Sequence, residues 1–193
     1  ACDTDGHIAA VAHEGVAAQN DDGAFLEPIP FGSIPLYAGE SRRFRTDLVR
    51  LDLPATGAVR APGEAIGTFA IECAMDELAS ELGIDPIELR RRNAVQEGDR
   101  LHPDDDEYEE DLVWGSYGLD QCLDLAQWAL QRGNGVDAPP GWLVGEGMAL
   151  AMIATMAPRG HIAHTRAAVR SDGTYLLGVG TAEFGNGTST VHG

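Results

Sequence analysis

Arg60-Ala61-Pro62-Gly63-Glu64-Ala65-Ile66-Gly67 leads directly into Thr68-Phe69-Ala70-Ile71-Glu72-Cys73-Ala74-Met75-Asp76-Glu77-Leu78-Ala79-Ser80-Glu81-Leu82-Gly83, and this stretch decides how the chain is read. Ile71, Met75, Leu78 and Leu82 recur at helical spacing, which predicts a helix from about Ala65 to Leu82 that buries one stripe. Gly83 supplies a left-handed C-terminal cap. Glu72, Asp76 and Glu77 fall to the exposed face in this reading. A second helix start follows at once: Asp85 as N-cap, Pro86 at the first helical position and Glu88 three residues after the cap, continuing through Leu89 to Asn93. Leu119, Cys122, Leu123, Ala126 and Leu130 predict a third helix over Gly118 to Gln131, ended by the breaker run Gly133 to Gly141.

Outward from this helical centre the period changes. The Asp3 to Gly6 turn and Ile8-Ala9-Ala10-Val11-Ala12 read as the end of a hairpin and the start of a strand. Gly15 to Arg45, with Pro28, Pro30 and Pro35, reads as a long irregular connection ending in a strand over Asp47 to Leu53. Gln96 to Leu112 carries two acidic runs whose like charges repel, so a solvated loop is expected. Trp142 to Thr155, Gly160 to Arg170 and Thr174 to Gly180 read as strands, the last two joined by a two-residue turn at Asp172-Gly173. The fold class is therefore α+β, with mixed strands and amphipathic helices.

With 13 basic against 31 acidic residues the formal charge is −18, which argues against nucleic acid, whose backbone needs a basic footprint. Met148 to Ala157 is the longest apolar run and falls far short of the roughly 18 to 20 residues of a membrane helix. The acidic opening residues do not form a signal peptide, so any export signal would lie elsewhere. Cys2, Cys73 and Cys122 are widely spaced, which suggests neither a disulfide framework nor a metal site, and they are expected as small buried apolar groups.

Two glycine-bearing turns carry the chemistry. Val59 to Gly67 precedes the best helix, whose N-terminal N–H groups suit an anionic or carbonyl ligand, with Arg60 beside them. The same spacing also fits Pro62 and Gly63 merely shaping the start of the helix. In Gly180 to Thr190, successive N–H groups around Gly185 and Gly187 form a nest suited to phosphate or pterin-type carbonyl groups, with Asn186 as donor and acceptor. A strand-to-helix turn with a capping threonine fits the pattern as well. His161 and His164 face opposite sides of a strand, and the acidic run from Asp104 lacks the glycine and terminal glutamate of a calcium loop, so no metal ligand set is proposed.

The run from Arg60-Ala61-Pro62-Gly63-Glu64-Ala65 through Ala74-Met75-Asp76-Glu77-Leu78-Ala79, Leu82-Gly83, Asp85-Pro86, Glu88-Leu89-Arg90 and Asn93 resembles a signature of the molybdenum-cofactor-binding subunits of the xanthine dehydrogenase and aldehyde oxidase family. It is most similar to the bacterial aldehyde oxidoreductase branch, where an R-A-P-G-E-A turn is common. Leu36-Tyr37-Ala38, Leu48-Val49-Arg50, Gly145-Glu146-Gly147 and the Gly180 to Thr190 turn follow in the family's order. The resemblance implies an internal fragment, with residues 1–135 part of a first cofactor-binding domain and residues 136–193 the start of a second.

By this resemblance Arg60 lines the molybdenum site, orienting a substrate carbonyl or stabilising developing negative charge, while Ala61, Pro62 and Gly63 shape the adjoining wall. Phe184, Gly185, Asn186 and Gly187 match a cofactor-contacting turn that relatives write E-M-G-Q-G, with Asn186 in place of glutamine. The implied cofactor is a molybdopterin-type molybdenum cofactor, its cytosine dinucleotide form among the alternatives, held without a protein side chain on the metal. The implied partners are iron-sulfur and FAD subunits and a small aldehyde or heterocyclic substrate. Family members hydroxylate a carbon centre with oxygen from water, using a glutamate near the subunit's C-terminal end that falls outside this sequence; Glu64, Glu146 and Glu183 do not match it. The expectations are therefore an aldehyde-oxidising molybdenum hydroxylase, inactive as this fragment alone, in the cytoplasm, or in the periplasm through a partner-borne signal. A purine or isoquinoline-type hydroxylase and a non-catalytic acidic module are the alternatives.

Overall fold

The computed structural model describes residues 1–21, 25–39, 41–99, 113–152, 162–183 and 185–192. The chain divides into two compact units, Ala1–Ala154 and Thr155–Gly193.

In the first unit, strand β1 (Ala10–Gln19) pairs in parallel with β2 (Ser41–Arg50), in register from Ala10 opposite Ser41 to Gln19 opposite Arg50. Both strands correct the expectation of an irregular connection from Gly15 to Arg45 and of a strand only from Asp47. The alternation was disguised because β1 turns histidine and alanine inward, at His13 and Ala17, rather than large aliphatics. β2 carries four arginines, and they broke the hydrophobic pattern. A short 3-10 helix (Ile29–Gly32) lies on the crossover between the strands and packs on the start of helix α1 (Glu64–Leu82).

Helix α1 ends at Gly83 in the left-handed conformation, φ 66°. Helix α2 (Pro86–Asn93) starts as expected, with the Asp85 carboxylate accepting from the Ile87 and Glu88 amides, both at 3.0 Å. Helix α3 (Leu119–Arg132) buries Leu119 and Leu123. Leu36, Tyr37, Met75, Ala79, Ile87, Leu89, Leu123 and Leu150 form the core among these helices. Asn93 ties the N-terminal turn to it: its side chain accepts from the Ile8 amide at 2.8 Å and donates to the Gly6 carbonyl at 2.7 Å.

Two further expectations change in this unit. Residues 142–152 contain no strand, and Trp142 and Leu143 are exposed, so apolar content alone misled there. Cys73 and Cys122 are exposed rather than buried, because each lies beside its helix's inward stripe and not on it. The acidic loop expectation falls largely on residues 100–112, outside the described residues.

The second unit contains a hairpin of β3 (Thr165–Val169) and β4 (Tyr175–Val179), followed by a short helix α4 (Thr188–His192). Its turn has three residues rather than two. The Gly173 amide donates to Arg170 at 3.0 Å, and Gly173 takes φ 85° before the Arg170 amide closes on the Thr174 carbonyl at 2.8 Å. No helix among the described residues is long and apolar enough to cross a membrane.

Candidate functional site

The first turn is shaped by close backbone packing. A Cβ on Gly63 would sit 1.9 Å from the Pro28 carbonyl oxygen, and one on Gly67 1.9 Å from that of Ile29. Both glycines thus serve the approach of the crossover to α1. Gly63 also takes φ 74°, and Ala61 takes φ 61°, a left-handed conformation that costs a residue with a Cβ about 1–2 kcal/mol. Ala61 offsets part of this through its carbonyl, which accepts from the Ala65 amide at 3.0 Å and starts the helix ladder.

The amide of Gly63 donates to the Glu27 carboxylate, so the chain itself places an anion at the positive end of α1. Arg60 is exposed on the bend, and Pro62 is half-buried beside it. Glu64 lies partly buried, and burial holds its carboxyl above the ordinary range.

The second turn has the same logic in miniature. Glu183 folds back so that its carboxylate accepts from the amides of Gly185 at 2.8 Å, Gly187 at 3.3 Å and Ser189 at 2.7 Å. These donors, that of Ser189 foremost, hold the Glu183 carboxyl below the ordinary range. Asn186 accepts from the Thr188 hydroxyl at 2.9 Å and donates to the Ala182 carbonyl at 3.3 Å. Phe184 lies outside the described residues. The two turns belong to different compact units.

A cluster that the sequence reading missed lies beneath the first turn. Glu72, assigned above to the exposed face of its helix, is 3% exposed. Its carboxylate accepts from the Tyr37 hydroxyl, from Arg90 Nε at 2.8 Å and from the Leu150 amide at 2.7 Å. The fully buried Arg90 also reaches the Glu72 carbonyl at 3.1 Å, the Asp76 carboxylate at 2.8 Å and the Pro86 carbonyl at 3.1 Å. Burial works against the charge on Arg90, but the Glu72 carboxylate, with the hydrogen bond to Asp76, outweighs it and keeps the guanidinium charged. Burial, followed by the neighbouring Glu72 charge, pushes the Tyr37 phenol far up, so it stays a neutral donor. The available signal was spacing: Glu72, Met75 and Ala79 share α1's inward stripe, and Ile87 and Arg90 share that of α2.

Above Glu72 opens a mainly apolar cleft of about 590 Å³. One wall is the N-terminal half of α1 with Ala61, Glu64 and Phe69; the other is Met148 to Met152. Glu146, outside this cleft, accepts from the Asn134 amide at 2.6 Å. Among the described residues, no group of three or more histidine, cysteine, aspartate or glutamate side chains is arranged to hold a metal ion.

Comparison with known proteins finds a family match for the first part of the chain and relatives along most of it. Residues 1–94 match the model of the molybdopterin cofactor-binding domain. Over 98% of its length the chain is 32% identical to the aldehyde oxidoreductase molybdenum-binding subunit PaoC of Escherichia coli, covering 25% of that protein. Over 84% of its length it is 28% identical to the probable hypoxanthine oxidase XdhD of Escherichia coli, covering 18% of it. The chain thus spans a quarter or less of the length of these curated relatives. The fold superimposes on an aldehyde oxidoreductase from Desulfovibrio gigas with a TM-score of 0.59 and 21% identity, over 92% of this chain and 20% of that one. Residues 1–94 thus carry the molybdopterin cofactor-binding domain match, and nearly the whole chain is similar to one portion of an aldehyde oxidoreductase molybdenum-binding subunit.

Proposed function

We propose that this chain forms part of the cofactor-binding subunit of a molybdenum hydroxylase that oxidises aldehydes to carboxylic acids with oxygen from water. The observation that carries the reading is the Arg60 to Ala65 turn within the family match, its left-handed Ala61 standing at the edge of the cleft. A bound molybdopterin-type cofactor would supply the two-electron chemistry at the carbon centre, with its cytosine dinucleotide form as an alternative.

The residues present fit such a group in a specific way. Gly63 and Gly67 are closed against the crossover, and the Gly63 amide is given to Glu27, so the face that the first turn offers is Arg60, Ala61 and Pro62, with Gly63 fixing its shape. Arg60 would orient a carbonyl oxygen and stabilise negative charge developing on it. Ala61 and Pro62 would exclude water from that side. In the second turn Gly185, Asn186 and Gly187, with Phe184, would contact the pterin portion. Glu183 already fills their amide nest, so Asn186 would offer a side-chain or carbonyl contact. Electrons would leave through partner iron-sulfur and FAD subunits, and the assembly would work in the cytoplasm.

Aldehydes are preferred over purines as substrate class because the likeness to the aldehyde oxidoreductase subunit extends over 98% of this chain, against 84% for the probable hypoxanthine oxidase and 72% for a putative xanthine dehydrogenase subunit. The decisive measurement is made on the complete subunit purified with its partners. Molybdenum by metal analysis, released pterin by fluorescence, and oxidation of benzaldehyde in excess of hypoxanthine with an artificial acceptor are expected. A complex without metal or pterin overturns the assignment, and a preference for hypoxanthine moves the substrate to the purines. The 193-residue chain alone is expected to turn over neither compound. Arg60→Ala in the complete subunit is expected to lower turnover by about tenfold or more with molybdenum content near wild type. Lost molybdenum would instead assign Arg60 to holding the cofactor.

A further inference from the structure

We infer that Glu72 is a positioning residue, setting the far wall of the cleft beside Ala61 by binding the main chain of Leu150. This rests on the reading that the Arg60 to Gly63 turn borders the cofactor. The segment Met148 to Met152 takes part in no helix or strand, so no ladder of backbone bonds fixes its distance from α1. The Leu150 side chain anchors the segment in the core, and the 2.7 Å bond from the Leu150 amide to Glu72 Oε2 sets where its backbone lies against α1. Met148 and Met152 then face Ala61, Glu64 and Phe69 across the cleft.

The chemistry of the cluster favours registration over stability. A buried ion pair gains little over an apolar pair of similar volume, because desolvation offsets the attraction. An apolar pair could not, however, accept donors from three directions. Glu72 does so: Tyr37 precedes β2, Arg90 belongs to α2, and Leu150 lies in the cleft wall. Arg90 holds the carboxylate still by also bonding the Glu72 carbonyl, which leaves Oε2 fixed in the direction of Leu150. Oε1 accepts from Tyr37 and Oε2 from both Arg90 and Leu150, so each oxygen is engaged by a donor.

The test compares Glu72→Met with Glu72→Gln in the complete subunit. Methionine keeps the length of the side chain and removes the acceptor. Glutamine can keep an oxygen at the Oε2 position, because the Tyr37 hydroxyl can rotate to accept from the amide group. In the methionine variant, hydrogen exchange at the Leu150 amide is expected to rise about tenfold while Ala79 and Leu89 stay protected, the pattern of local rather than global opening. Aldehyde KM is expected to rise about fivefold with kcat and molybdenum content changed less than about twofold, and the glutamine variant to restore both readouts.

Unchanged Leu150 protection, a rise shared equally by Ala79 and Leu89, or a loss of kcat or molybdenum in place of the KM effect overturns the proposal. If Glu72→Met does not fold, the double variant Glu72→Met, Arg90→Leu, which also removes the unpaired charge, carries the same measurements. A wild-type subunit without molybdenum defeats the functional reading alone, because the exchange measurement needs no cofactor and still decides whether Glu72 holds Leu150.

Discussion

Gly63 donates its amide to a carboxylate 36 positions earlier in the chain, whereas Gly185, Gly187 and Ser189 donate theirs to Glu183, no more than 6 positions before them. Both turns present N–H groups that would attract an anion, and in both the chain supplies that anion itself. The first is a tertiary arrangement. It exists only if the crossover carrying Glu27, Pro28 and Ile29 packs onto α1, and Gly63 and Gly67 are there to let it. The second is local and closes on itself like an extended cap. The lesson is that a glycine-rich strand-to-helix turn is ambiguous until its donors are accounted for, because glycine for ligand approach and glycine for chain packing look alike in sequence.

The comparison breaks most decisively at Gly67. Alanine in a helix interior ordinarily stabilises by about 1 kcal/mol over glycine. Here its Cβ would fall 1.9 Å from the Ile29 oxygen, so Gly67→Ala is expected to destabilise the first unit by about 3 kcal/mol or more, read as a lower denaturant midpoint. A gain in stability would show that the crossover is free to move away. Next in size is Glu27→Gln, which keeps the shape but removes the charge at the helix N-terminus, with an expected loss of about 1–2 kcal/mol in the same assay. An unchanged midpoint would mean that the Gly63 amide is satisfied as well by a neutral acceptor.

How far the fold and site were legible follows the same division between local and tertiary causes. Asp85, Pro86 and Gly83 act within a turn of where they stand, and the boundaries of α1 and α2 were read from them to within a residue. β1 and β2 are parallel partners whose inward residues, Phe44 apart, are mostly small or polar, so their pattern becomes visible only once His13 is seen buried against Ser33 at 2.6 Å. Glu72 shows the limit most plainly: a glutamate on an apolar stripe reads as exposed unless a buried arginine is known to face it, and Arg90 belongs to a different helix. Arg60, Ala61 and Pro62 were legible as a motif, but the carboxylate on the Gly63 amide was not, since nothing in sequence ties Glu27 to position 63.

The contrast sharpens with pH, first in the unit that carries His13. Burial lowers its pKa below the ordinary 6.5, so the folded state resists a proton that the unfolded chain accepts. Stability should therefore be full above about pH 6.5 and fall as the pH drops below it, until the folded histidine also protonates. Thermal melting of the first unit between about pH 7.5 and 5.5 is expected to show this fall, and His13→Gln is expected to flatten it. A slope that persists in the variant would place the acid sensitivity elsewhere.

The smallest expected effect belongs to the second turn, and its sign is set by a carboxylate. Donors from Ser189, Gly185 and Gly187 hold Glu183 below the ordinary 4.5, so the folded turn releases its proton more readily than the unfolded chain. Its contribution is then complete above that ordinary value and disappears as the pH falls through the lower, folded one. Because Glu183 is exposed, solvent screens most of this, and the measurement must be local rather than a melting curve. Carboxyl and amide NMR titration should show the Gly185 and Ser189 amides moving together with Glu183, at a midpoint below that of an ordinary glutamate. Glu183→Gln should remove the transition while leaving the β3–β4 hairpin intact. If the two amides titrate with an ordinary midpoint, the self-closed nest is open in solution, and its donors are available to a ligand in a way that the amide of Gly63 is not.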